Sequence, residues 1–119
     1  MTLTSLRLTM VGLLTFTGIF HLAVAAFGGV GDLALPIAAF GILYAVIGFY
    51  VRADTKDGSA SGSRNAIIAA IVACTIGMAI GGTVYFQNNE PGALLIMLLI
   101  DIAIIFTGVM WLRLALKKP

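Results

Sequence analysis

The sequence predicts an all-α membrane protein: one four-helix transmembrane domain over residues 1–119, built as two antiparallel helical hairpins with the N and C termini cytoplasmic. Three observations carry this. Of 119 residues, 61% are hydrophobic and 10% charged, against about 25% charged residues in soluble domains. Seven Lys and Arg plus five Asp and Glu cannot cover the surface of a water-soluble fold of this size, so lipid must solvate most of the exterior. Four apolar stretches approach the roughly 20 helical residues that cross a hydrocarbon core about 30 Å thick, and every Lys and Arg falls in alternate connectors or the termini.

The first span runs from about Leu8 to Phe27. Arg7, this apolar stretch and Ala23-Val24-Ala25 share features with a cleaved signal peptide, but the stretch is near full spanning length, so a retained span is expected. The second, about Leu33 to Val51, carries Pro36 in its first turn, where a missing N–H costs little. The third runs from about Ala66 to Phe86. The fourth, about Ala93 to Leu112, follows Asn88-Asn89-Glu90-Pro91-Gly92, a clear turn signal.

The connectors set the topology. Gly28–Asp32 and Gln87–Gly92 are short enough to join neighbouring antiparallel helices. Residues 52–65, RADTKDGSASGSRN, read as a mobile cytoplasmic loop because they are rich in Gly, Ser and charge. Arg7, the loop's Arg52, Lys56 and Arg64, and Arg113, Lys117 and Lys118 share one side, while the two short turns hold only Asp32 and Glu90. The positive-inside rule places that basic side in the cytoplasm of a multi-pass protein of the cell inner membrane. Trp111, Tyr50 and Tyr85 fall near span ends, where amphipathic rings favour the interface.

The two halves share a faint pattern. Ile47-Gly48-Phe49-Tyr50-Val51-Arg52 and Thr107-Gly108-Val109-Met110-Trp111-Leu112-Arg113 both combine Gly, an aromatic ring and Arg at a span end. Two hairpins in the same orientation would form a parallel repeat.

Between apolar helices in lipid, small residues supply contact by letting backbones approach. Ala69, Ala73, Gly77 and Gly81 recur every four residues in the third span, and Gly41, Ala45 and Gly48 form an edge on the second. These faces serve packing within one chain or against a homo-oligomeric or larger membrane partner.

Asp101 is the least expected residue. A carboxylate near the middle of a span costs about 2.5–3.5 kcal/mol on insertion scales and should face the interior toward a partner. Counted from the outer helix ends at about 1.5 Å per residue, His21 lies roughly 9 Å deep and Asp101 roughly 12 Å deep. Thr17, Tyr44 and Thr75 fall in a comparable layer, completing an expected intramembrane polar cluster of His21, Asp101, Thr17, Tyr44 and Thr75. At its blandest such a cluster only fixes helix register.

Several chemistries find no footing. The charge of +2 and pI near 9.0 come from connectors rather than a basic stripe, so no nucleic acid is expected. One His and one Cys, Cys74, cannot supply a zinc site, and the scattered methionines make no copper cluster. Cys74 reads as a small packing residue. The chain has no CxxC, GxSxG, Walker loop or HExxH pattern, and the glycine-rich Gly28–Asp32 follows a span rather than a strand. No cofactor or catalytic residue is assigned.

In Leu6-Arg7-Leu8 and Gly18-x-x-His21-Leu22 the first span resembles the broad DoxX-like group of small bacterial four-span proteins, without a specific motif or a family assignment. Small multidrug transporters are similar in size, but their essential first-span glutamate has no counterpart here, and Asp101 would have to act from another helix. The leading expectation is a noncatalytic bundle or accessory subunit that associates with itself or with a larger membrane complex. The alternatives are a small proton- or cation-coupled oligomeric transporter or channel using Asp101 and His21, and a haem-binding membrane protein held through His21.

Overall fold

The computed structural model describes residues 3–28, 31–57, 60–88 and 93–116. Four helices account for nearly all of them: α1 (Leu3–Phe27), α2 (Ala34–Asp57), α3 (Ala60–Asn88) and α4 (Ala93–Leu116). Four stretches of 21 to 24 residues are long and apolar enough to cross a membrane, Ser5–Phe27, Gly31–Arg52, Arg64–Gln87 and Leu95–Ala115, the second taking in the short turn before α2. At 1.5 Å per residue these measure about 32–36 Å, the thickness of the apolar layer with a small margin.

The segment expected to be a mobile loop, residues 52–65, is instead mostly helical. α2 continues to Asp57 and α3 begins at Ala60, with only residues 58–59 outside the description. A helix leaving an apolar layer can continue through water where Arg, Ala and Lys sustain it, and Gly-Ser composition alone undervalued Arg52-Ala53-Asp54-Thr55-Lys56. At the other end, Gly28 N–H donates to the Val24 carbonyl at 2.8 Å and closes α1. Gly31, at φ +60°, enters the left-handed region before a 3-10 turn, Gly31–Leu33, leads into α2. Gly28 and Gly31 therefore serve a helix-to-helix turn.

Each helix packs on two neighbours, in the cyclic order α1, α2, α3, α4 and back to α1, with the broadest contact between α1 and α2. On α1 the inward stripe is Leu6, Met10, Leu14, Thr17, His21 and Val24, alternating steps of three and four that hold one face of a 3.6-residue helix. On α2 the stripe is Ile37, Gly41, Tyr44, Gly48 and Val51; on α4 it is Met97, Asp101, Ile104, Gly108 and Trp111, each 60 positions later and every one buried. The same offset carries the α1 stripe onto Ala66, Ala70, Cys74, Gly77, Gly81 and Val84 of α3, all buried or half-buried. The faint likeness of the two span ends thus extends to every inward position, and the related helices sit diagonally across the bundle.

The two halves are not packed alike. A Cβ placed on Gly18 would lie 2.9 Å from the Gly41 carbonyl oxygen and 3.1 Å from the Ala45 nitrogen, and one on Gly48 would lie 3.1 Å from Leu14 Cβ. α1 and α2 therefore meet backbone to backbone, and Gly41, Ala45 and Gly48 are engaged within the chain. Sixty residues on, the positions of Gly18 and Gly41 are held by Met78 and Asp101, too large for that approach. The α3–α4 seam is instead filled by side chains, with Gly108 receiving Ile71 and Ile67.

The interior splits into two apolar clusters. The larger contains Leu6, Met10, Leu14, Val51, Ile104 and Trp111 among others. A smaller one, Val24, Ile37 and Met97 flanked by Leu33, Val84 and Tyr85, joins the last turns of α1 and α3 to the first turns of α2 and α4. No more than 33% of any span is buried. The outward faces carry large apolar groups, among them Phe16, Ile19, Ile42, Phe49, Ile80 and Phe106. Water would not tolerate that much exposed apolar surface, whereas hydrocarbon solvates it.

Two inward assignments differ from expectation. Ala69 is exposed, because a residue every fourth position gains about 40° per step on a helix of 3.6 residues per turn and drifts off the face held by Ala73, Gly77 and Gly81. Trp111 is fully buried rather than interfacial, with the Arg7 guanidinium 5.9 Å from its ring centroid. Tyr50 stays exposed and Tyr85 half-buried.

Candidate functional site

Between the two apolar clusters lies a polar layer, and each helix contributes to it for a local reason. On α1, the four-residue step from Thr17 to His21 sets the ring above the preceding turn, with Nδ1 2.7 Å from the Thr17 carbonyl oxygen and 3.2 Å from the Thr17 hydroxyl. A carbonyl only accepts, so Nδ1 carries the hydrogen and donates it. The neutral ring then presents Nε2 as a bare acceptor. The same assignment prevents Nδ1 from drawing a proton from the Thr17 hydroxyl, so the pair is no nucleophile-base couple.

On α2, the Tyr44 ring is wedged between two others. It meets the His21 ring edge to face at 5.1 Å and the Phe40 ring at 6.0 Å. Its hydroxyl points at the Ala73 carbonyl at 3.5 Å, too long for a strong bond. That hydroxyl occupies the notch of Gly77, where a Cβ would lie only 2.7 Å away. Gly77 is thus the condition for Tyr44 to reach across to α3.

On α4, Asp101 is 3% exposed. One carboxyl oxygen, Oδ2, faces the Gly77 notch, 3.6 Å from where a Cβ would stand. Tyr44 and Cys74 are the side chains near enough to hydrogen-bond the carboxyl group. The other oxygen, Oδ1, is buried without a partner. Such orphaned acceptors are rare in folded proteins because each loses its hydration without replacement.

α3 contributes absence. Gly77 and Gly81 leave a cavity of about 60 Å³ bordered by His21, Tyr44 and Asp101. It continues between Ile37, Phe40, Ile80, Val84 and Met97, toward the smaller apolar cluster. Across the 60-residue offset, His21 corresponds to Gly81, Thr17 to Gly77, and Gly41 to Asp101. Thr17, His21 and Asp101 thus each have a glycine at the related position, whereas Tyr44 has Ile104, and the cavity forms where the halves differ.

His21, Tyr44 and Asp101 come together around this space and Thr17 joins through His21. His21 and Asp101 do not bond directly: both border the cavity, and Tyr44 touches each. Thr75 does not join. It is exposed, and its hydroxyl donates to the Ile71 carbonyl at 2.8 Å in its own helix. The preceding residue, Cys74, takes the inward direction instead, since one step turns a helix by about 100°. Anchoring the third span on Gly77 and Gly81 would have pointed to Cys74, four residues or one turn behind the first of that pair at the right phase. Among the described residues no Lys or Arg borders the cavity, and no three of His, Cys, Asp and Glu gather as a metal cluster. The arrangement sets one carboxyl group, able to hold a proton, beside a cavity whose walls are mainly apolar.

No protein-family model matches the chain, and neither does any curated protein or solved structure.

Proposed function

We propose that the protein is a multi-pass protein of the cell inner membrane, both termini cytoplasmic, in which Asp101 binds a proton and a small cation in alternation as the central step of proton- or cation-coupled transport. The observation that carries this reading is Asp101 itself, buried on the fourth span beside the cavity with Oδ1 left without a hydrogen-bond partner. An ionised carboxylate in an apolar layer needs a counter-charge, and a protonated one does not. Proton and cation therefore compete for one place. The titratable groups near Asp101 are His21 from α1, Tyr44 from α2 and Cys74 from α3, of which only His21 can carry a positive charge, and no Lys or Arg borders the cavity among the described residues. The cavity is also asymmetric along the bundle, with the larger apolar cluster behind it and the smaller one ahead. The meeting of α1 and α3 ends with α2 and α4 starts supports the hairpin plan, and the distribution of Lys and Arg supports a periplasmic side for the smaller cluster.

The test is reconstitution in liposomes with an internal pH-sensitive dye. An imposed cation gradient should drive proton movement in the wild type, and Asp101→Asn should abolish it while leaving the helical content unchanged. Absence of cation-dependent proton movement in the wild type at every pH would remove the proposal. The reading as a noncatalytic bundle docked on a partner finds less to rest on, because Gly41, Ala45 and Gly48 pack against α1. A haem held by two histidines would need a second copy of the chain, since His21 is the one histidine of the sequence.

A further inference from the structure

We propose that the cavity takes one alkyl chain of a phospholipid with an amine-bearing, net-neutral headgroup, an ethanolamine lipid, which enters sideways between α2 and α3. The proposal needs the chain to span a bilayer and does not depend on exchange at Asp101.

The mouth follows from the helix faces. Gly41 and Ala45 form the edge of α2 that meets α1, so Pro36 and Phe40, on the opposite edge, turn toward α3. On α3, Ile67 and Ile71 meet Gly108 of α4. Ile80 lies on the other edge, with Ala73, whose carbonyl the Tyr44 hydroxyl of α2 approaches. Pro36, Phe40 and Ile80 all border the cavity, and Pro36 and Ile80 are exposed while Ile37 and Met97 behind them are buried. The α2–α3 contact is also the narrowest of the four. The cavity is therefore a cleft in the side of the bundle, and the exposed Leu43 and Ile76 continue its rim into the outward apolar surface.

Shape and lining select the occupant. The wall follows about 16 Å of α2, from Leu33 to Tyr44, and about 10 Å of α3, from Gly77 to Val84, at 1.5 Å per residue. Its long direction thus runs with the helices, as the alkyl chains of a bilayer do. Leu33, Ile37, Phe40, Ile80, Val84 and Met97 make it apolar. A water held there would need about two to four polar partners, and Asp101 Oδ1 and Tyr44 are buried away from the open space. Hydrocarbon needs only contact, which an alkyl chain supplies along its whole length. Charge selects the headgroup. Asp32 is exposed in the turn immediately before Leu33, and neither connector at this end, residues 28–32 or 87–92, contains Lys or Arg. That end attracts an ammonium group and repels a net-negative headgroup.

The experiment is NMR on the whole protein, deuterated except at Ile and Met methyl groups, in nanodiscs of mixed ethanolamine and glycerol phospholipids with protonated chains. Proton cross-relaxation reports direct contact. Ile37 and Met97 methyls should show cross-peaks to lipid methylenes as the exposed Ile42 does, whereas Met10 and Ile104, equally buried but outside the cleft, should show none. Gly81→Leu, which adds bulk to the wall, should erase the Ile37 and Met97 peaks and leave that of Ile42. If Ile37 and Met97 are as silent as Met10 and Ile104, or their cross-peaks run to water, no alkyl chain occupies the cleft and the proposal is wrong. Silence at Ile42 as well overturns the bilayer reading with it. Native mass spectrometry of the same particles should retain the ethanolamine lipid about threefold over the glycerol lipid, a ratio within the range of one exposed charge pair, and Asp32→Asn should remove the preference. Equal retention by the wild type overturns the headgroup class. The comparison of methyl groups in the wild type needs no variant to fold.

Discussion

Replacing Gly77 by alanine sets two effects of known size against each other. Away from contacts, Gly→Ala in a helix gains about 1 kcal/mol. Here the new methyl would sit 2.7 Å from the Tyr44 hydroxyl oxygen, well inside contact distance, and 3.6 Å from both Asp101 Oδ2 and Phe40 Cε1. The hydroxyl ends a ring held by His21 at 5.1 Å and Phe40 at 6.0 Å, so it cannot swing clear without moving one of them. Overpacking of this kind costs about 1–3 kcal/mol, and the balance is a net loss of roughly 0–2 kcal/mol. The function suffers more than the fold, because the displaced hydroxyl has only the cavity to enter. Reversible unfolding in mixed micelles, followed by circular dichroism, measures the first quantity, and the liposome assay the second. Tyr44→Phe removes the clashing atom, so in the double variant Gly77→Ala/Tyr44→Phe the stability penalty should vanish, with a coupling energy of about 1 kcal/mol or more. If Gly77→Ala is stabilised by the full helix-propensity gain, or the double variant is no better than the single, the notch does not govern Tyr44.

Gly18→Ala should destabilise more than Gly77→Ala, toward about 3 kcal/mol, because its methyl would meet the Gly41 carbonyl and the Ala45 nitrogen, backbone atoms that cannot rotate away; the same unfolding assay ranks the two. Thr75→Ala should leave stability within about 0.5 kcal/mol and flux unaltered, since its hydroxyl bonds only within α3. Trp111→Ala should cost about 3–5 kcal/mol, as for a large buried ring, and an interfacial ring would cost far less. Cys74, buried against Asp101, should resist a membrane-permeant maleimide in the folded protein and react once denatured, as mass spectrometry would record.

Much of the architecture is legible from hydropathy because crossing an apolar layer demands long uninterrupted apolar runs. Which face of each run turns inward is far less legible. In water a helix separates its polar and apolar faces; in lipid both faces are apolar, and Phe16 outside differs little in kind from Leu14 inside. The polar residues mark the interior, which is why Thr17, His21, Tyr44 and Asp101 can be grouped from depth alone. Depth without rotation also admitted Thr75 in place of Cys74, and a strict four-residue spacing placed Ala69 on the face that Ala70 holds. The cavity itself leaves almost no trace along the chain, since it depends on Gly77 and Gly81 facing groups from three other helices. Residues 52–65 misled for a different reason: their polarity marks departure from lipid, which a helix can survive.

The contrast between the two seams decides where this molecule can yield. Main chain pressed on main chain, as Gly18 lies on Gly41, has no torsion to spare, so the first pair of rods behaves as a fixed frame. Along the second pair, Met78, Ile67 and Ile71 have rotamers to exchange. A visitor arriving beside Asp101 would therefore be accommodated by α3 and α4 shifting against a stationary α1–α2 wall, and labels placed on the latter pair would report little of its coming and going.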